Sequence, residues 1–177
     1  MGVKSVVKRA TEVATGVLRE AVGSGADSES QDLLDTLKTE HEEVKGLLDD
    51  LQAATGSARR RSLVRQIKAA LIPHTKAEEK VLYAALIRLR DKDAQTDGHE
   101  GNVEHDLAAK TLQALSRIAN ATSPAHKATA KVLKELVEHH IREEERNAWS
   151  DARKHFSDDA RIAMNRRYLA AKSKVKV

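Results

Sequence analysis

His74-Thr-Lys-Ala-Glu78-Glu79-Lys80-Val-Leu-Tyr83 and His140-Ile-Arg-Glu-Glu144-Glu145-Arg146-Asn-Ala-Trp149 say nearly the same thing twice. Each is preceded by a second matched pair, Glu40-His41 in one half and Glu104-His105 in the other. A helix break separates the members, Gly56-Ser57 first and Ser123-Pro124 second. His41 stands 33 positions before His74, and His105 stands 35 before His140. One histidine followed by His-x-x-x-Glu at that spacing describes a helical hairpin, given twice. Two hairpins about a pseudo-two-fold axis bring both sets of side chains to one centre. The fold class is therefore all-α, an up-down-up-down antiparallel four-helix bundle with extra helices at the N- and C-terminal ends.

Working outward, the first helix is expected from about Ser30 to Ala54 and the second from Ser57 to about Arg90, with a kink or break at Pro73. The polar, glycine-containing stretch from Asp91 to Gly101 reads as a connection, and the third helix as Asn102 to Asn120. Pro124, tolerated in a first turn, opens a fourth helix running to about Lys154. Ser157, followed by two aspartates, is placed to cap a short basic helix. At the other end, Val3, Val7, Ala10, Ala14, Val17 and Ala21 recur at helical spacing before the break at Gly23-Ser24-Gly25. The expected organisation is thus 1–26 as an amphipathic helix and linker, 30–155 as the bundle, and 156–177 as a basic helix or tail.

Helix geometry tests whether the repeated residues converge. At about 100° per residue, positions i and i+4 lie within roughly 40° of each other. His74 and Glu78 share a face with Ile67, Ala70, Leu71, Val81 and Ala85, and His140 and Glu144 share one with Leu133, Leu136 and Val137. His41 stands with Leu34, Leu37, Val44 and Leu48, and His105 with Ala108, Ala109 and Leu112. Four imidazoles and two carboxylates therefore point from apolar faces into one interior, where bare carboxylates are very unfavourable. Two divalent ions would neutralise Glu78 and Glu144, and imidazole nitrogen suits iron, with manganese or zinc able to occupy the same donors. If both glutamates bridge, the six side chains leave open coordination positions for water, a hydroxo or oxo bridge, or O2.

These motifs resemble the hemerythrin-like HHE cation-binding family over most of residues 31–155. The resemblance rests on Glu40-His41, His74-x-x-x-Glu78-Glu79, Glu104-His105 and His139-His140-x-x-Glu143-Glu144-Glu145. It implies a non-haem di-iron centre with His41, His74, Glu78, His105, His140 and Glu144 as ligands. It also implies O2 binding or sensing, or reaction with peroxide or nitric oxide. Oxygen-carrying hemerythrins have a further histidine four positions after the one matched here by His105; this chain has Ala109 there. That departure argues against simple O2 carriage and for more symmetrically ligated relatives.

Several residues admit two readings. His139 could pair with Glu143 by the same spacing, but His140 aligns with His74 and sits on the apolar face. Lys45, one turn after His41, is either a snorkelling lysine or a cation beside a metal-bound ligand. His99, His126 and His155 fall near helix ends and read as surface residues, and Tyr83 and Trp149 fall about 180° from the histidine faces of their own helices.

The chain of 177 residues has no cysteine, which excludes disulfides, thiolate metal sites and cysteine nucleophiles, and makes the reducing cytoplasm the expected location. Its net charge of +4 is concentrated at the ends rather than on a recognition element, so no nucleic-acid partner is expected. No stretch approaches the roughly 20 apolar residues of a membrane span. The reading is a non-haem di-iron protein of stress response, monomer or homodimer, with O2, H2O2 or NO as the small ligand. Peroxidase-, catalase- or oxidase-like turnover would require an electron donor from outside the chain. The alternative is an oxygen, iron or redox sensor whose metal state controls a partner.

Overall fold

The helices are set by their caps. In a computed structural model describing residues 30–177, α1 (Leu33–Ala53) is capped by Asp32, whose side chain accepts from the Leu34 amide at 2.9 Å. Helix α2 (Ser57–Glu78) continues into a π turn at Glu79–Tyr83 and a short α3 (Ala84–Leu86). Asp91 caps α4 (Lys92–Arg117), Ser123 caps α5 (Pro124–Arg146), and α6 (Ala148–His155) follows after one residue. Ser157 caps α7 (Asp158–Lys172) through the Ala160 amide, as its sequence implies. The expected N-terminal helix lies outside the described residues.

Asp32–Val177 forms one compact unit in which α1 packs on α2 and α5, and α4 packs on the same two helices. Short connections make sequential helices antiparallel, so α1, α2, α4 and α5 are the up-down-up-down bundle. Helix α7 lies across α1 and α2. Two apolar clusters form the core. One is built on Leu48, Leu63, Ile67, Leu112 and Leu133, the other on Leu33, Leu37, Leu82, Leu86 and Met164. The predicted histidines and glutamates form a polar layer between them. Among the described residues no helix is long and apolar enough to cross a membrane.

Three element boundaries differ from the sequence reading, each for a local reason. Helix α2 runs through Pro73 without a break, and the irregularity comes later, at the π turn. One additional residue in a turn shifts everything after it by about 100°. Val81 and Ala85, expected on the His74 face, are consequently only half-buried, while Tyr83 is turned inward and fully buried. Helix α4 begins at Lys92, not Asn102, so the glycine-containing stretch is helix. Its glycines serve close approach: a Cβ on Gly101 would fall 2.4 Å from the Tyr83 ring, and one on Gly98 2.9 Å from Ile87. The fourth bundle helix breaks at Asn147 (φ −99°, ψ −70°), which re-aims Trp149.

Candidate metal centre

The structure brings all six predicted side chains together, each at most 7 % exposed. The histidines form two pairs. His41 and His74 stand edge-to-face with ring centres 5.1 Å apart, and His105 and His140 do the same at 4.6 Å. Each glutamate stands between the pairs. Glu78 Oε2 lies 3.3 Å from His74 Nε2 and 3.5 Å from His105 Nε2. Glu144 Oε2 lies 3.3 Å from His41 Nε2 and 3.7 Å from His140 Nε2. Two groups of donor atoms, His41–His74–Glu78 and Glu78–His105–His140, each fall within 4.8 Å of one another, a spacing that could hold a metal ion.

Around this core runs a ring of four further carboxylates, one for each imidazole. His74 Nδ1 donates to Glu40 at 3.0 Å and His140 Nδ1 to Glu104 at 2.7 Å. His41 Nδ1 donates to Glu145 at 3.0 Å, and His105 Nδ1 faces Glu79 at 3.4 Å. The pseudo-two-fold is complete. The glutamate before each lone histidine serves the next helix's histidine, and the glutamate after each His-x-x-x-Glu serves a histidine across the bundle. A carboxylate on Nδ1 fixes the tautomer and ring plane, leaving Nε2 free to bind inward. The sequence motifs contain all four, but their outer role was not read from them.

Three aromatic residues complete the surroundings, and the sequence reading had set two of them away from the site. The π turn brings Tyr83 against His105 (ring centres 5.2 Å), where its hydroxyl donates to Glu144 Oε1 at 3.1 Å. The break at Asn147 stacks Trp149 on His41, ring centres 5.6 Å apart and planes 12° from parallel. Tyr168, from α7, donates to Glu40 Oε2 at 2.6 Å and stands 3.0 Å from His74 Nδ1, and Lys172 pairs with the same Glu40 oxygen at 2.7 Å. Tyr168 lies outside the repeat, and no local signal in the sequence marks it.

The electrostatics show carboxylates and imidazoles crowded together out of water, each shifting the others. Burial, and then the Glu144 carboxylate, push Glu78 well above the usual carboxylate range. Burial would raise Glu144 too, but the His41 imidazole 3.3 Å away and the charge of His140 hold it low. Burial alone would lower His41; the carboxylates of Glu144 and Glu145 raise it to about 9. Burial takes His105 down to about 4 against the pull of Glu79. His41 Nε2, both oxygens of Glu78 and Oε2 of Glu144 are shut away from solvent yet make no hydrogen bond. Buried polar atoms normally have partners. The donor set fits a metal: His105 Nε2 and His140 Nε2 are 3.0 Å apart, the separation of two ligands at right angles on bonds of about 2.1 Å.

The other histidines and Lys45 are elsewhere. His139 is exposed and reaches only Glu104, at 3.5 Å. Lys45 pairs with Glu42 at 3.0 Å, and its charge also acts on Glu145, the carboxylate that holds His41. His99 is exposed, whereas His155 is half-buried on Asp91 at 3.0 Å. His126 is not a surface residue: it is 2 % exposed, and its Nδ1 accepts from Arg60 Nη2 at 3.2 Å. Arg60 also donates to the Leu51 and Ala54 carbonyls, closing the end of α1.

A four-helix bundle whose core is crossed by a doubled His/Glu layer defines a class of cation-binding helical proteins. The chain belongs to the hemerythrin HHE cation binding domain family, whose profile matches residues 32–148. It is also similar to a protein of Nostoc sp. (strain PCC 7120) named DNA nickase, 26% identical over 174 residues. That alignment covers 98% of this chain but 48% of the other, so the chain spans about half the length of that curated relative. No solved structure matches it.

Proposed function

We propose that His41, His74, Glu78, His105, His140 and Glu144 hold two iron ions, and that the protein binds or reacts with O2, H2O2 or NO there. The observation that carries this reading is the position of Glu78 and Glu144, each between a histidine of one pair and a histidine of the other. Iron so held would supply a change of oxidation state and open coordination positions for a small ligand, while manganese or zinc would fit the same nitrogen and oxygen donors without the same redox chemistry.

The chain's own residues do the rest. Glu40, Glu79, Glu104 and Glu145 hold the imidazole rings with Nε2 inward. Tyr83 engages Glu144 Oε1 and so leaves Oε2, the oxygen between His41 and His140, for the metal. The apolar clusters on either side limit water. Titrating the anaerobic, iron-loaded protein with O2, peroxide and NO while recording its visible spectrum tests the reading. Reversible change with O2 marks a carrier, peroxide consumed over many turnovers marks an enzyme, and no spectral response to any of the three contradicts the proposal.

A sensor is the second reading, and one contact favours it. Tyr168 and Lys172 join the terminal helix α7 to Glu40, and through it to His74, so the state of the metal and the docking of α7 are linked. Protease accessibility of α7 that changes with metal or oxidation state would support it. Strand cleavage, suggested by the relative's name alone, is opposed by the burial of Glu78 and Glu144, which are 0 % and 4 % exposed and beyond reach of a duplex phosphate. A plasmid-relaxation assay with the metal-loaded protein decides it.

A further inference from the structure

The two histidine pairs have different surroundings, although the sequence repeat would make them alike. Beside His41 and His74, helix α7 closes the bundle: Tyr168 is fully buried over His74, and Lys172 covers Glu40. In the other pair, His140 is the most exposed of the six residues, at 7 %. A cleft opens there between α4 and the break at Asn147, with a cavity of about 20 Å³, room for about one water-sized particle.

Five carboxylates line the cleft, those of Asp97, Glu100, Glu104, Glu143 and Glu144, with His140 among them. Glu104 is engaged by His140, and Glu143 by Arg146 and Asn147. Asp97 and Glu100, toward the mouth, have no cationic partner among the described residues. Burial, followed by the charges of Asp151, Glu100, Asp93 and Asp91, raises the Asp97 carboxyl, which marks a concentration of negative charge. The inner wall holds Glu144, 4 % exposed, whose Oε2 has no hydrogen-bond partner.

We infer that this acidic cleft between α4 and α5 is the entry path of divalent metal cations, which Asp97 and Glu100 draw to the mouth and which reach the centre past His140 and Glu144. The inference rests on the six residues being the metal site. A cleft lined by one sign of charge focuses the field and raises the arrival rate of the opposite charge by about 10- to 1,000-fold. Because its walls end at Glu144 and His140, the capturing charges and the final donors form one continuous line.

The test follows uptake of iron(II) by metal-free protein under argon, quenched at intervals with a chelator and counted as bound metal. Asp97→Asn/Glu100→Gln is compared with the unaltered protein and with Asp106→Asn/Glu135→Gln, which removes the same charge elsewhere. The expected result is about ten-fold slower loading in the cleft variant at low salt, with unchanged final content, and a difference that shrinks as salt is raised. Glu100→Lys, on an exposed position, should slow loading further. Equal rates for the cleft and control variants would overturn the inference while leaving the metal site intact. Failure of the unaltered protein to take up any metal would overturn both.

Discussion

Glu40 and His74, on neighbouring helices, are joined by a 3.0 Å hydrogen bond from imidazole Nδ1 to the carboxylate, and Tyr168 donates to that same oxygen at 2.6 Å. The carboxyl is held down to about 2: burial would raise it, but hydrogen bonds from His74, Lys172 and Tyr168 outweigh that. One histidine of the candidate centre is thereby fixed by a charge that a third helix stabilises.

Removing such an outer carboxylate should loosen the centre without unfolding it. Glu104→Gln takes away the charge that accepts from His140 Nδ1 at 2.7 Å. Metal affinity is expected to fall about 10- to 100-fold, read by competition with a chelator. His99→Ala, which alters an exposed histidine of the same helix, should leave affinity unchanged.

The glycines predict opposite signs. Gly101→Ala places a methyl group 2.4 Å from the Tyr83 ring and should cost about 1–3 kcal/mol by displacing a fully buried side chain. Gly46→Ala, in the middle of α1 with nothing within 4 Å, should stabilise by about 0.5–1 kcal/mol. Thermal melts of the two variants beside the unaltered protein check both signs.

The bundle and its six inward-facing residues were legible because the repeat and the i, i+4 spacing both survive translation into a regular helix. What was hidden depends on departures from regularity. Tyr83 and Trp149 reach the centre only because a π turn and a break at Asn147 follow the two His-x-x-x-Glu segments, and neither irregularity is written in residue spacing. The glycines at 98 and 101 read as a loop because glycine disfavours helix, yet here they make room for a neighbour's side chain. Tyr168 comes from a helix outside the repeat, so its contact with Glu40 is purely tertiary.

Arg60 and His126 give stability a pH dependence separate from the metal centre. Burial, then the Arg60 charge, lowers His126 below its ordinary value. The unfolded chain therefore binds a proton near pH 6.5 that the folded chain refuses, and this contribution is full above that pH and declines as pH falls. Melting temperature should drop more steeply between pH 7.5 and 5 (roughly the range in which histidine titrates) in the unaltered protein than in His126→Asn. Parallel profiles would contradict the assignment.

Trp149 is the chain's single tryptophan and stacks on His41, so its emission reports on the centre. Iron(II) or cobalt(II) added to metal-free protein should quench it in a saturable way. In His41→Ala the quenching should weaken along with metal affinity; fluorescence indifferent to metal in the unaltered protein would place the ions away from His41.

The most direct measurement is the metal content of protein grown with ample iron, set beside His74→Ala and His140→Ala, which disable the two histidine pairs separately. The account predicts about two ions per intact chain, as in dinuclear sites generally, and a large loss in each variant while the helical content stays unchanged. No stoichiometric metal in the intact protein, or full content retained in both variants, would contradict it.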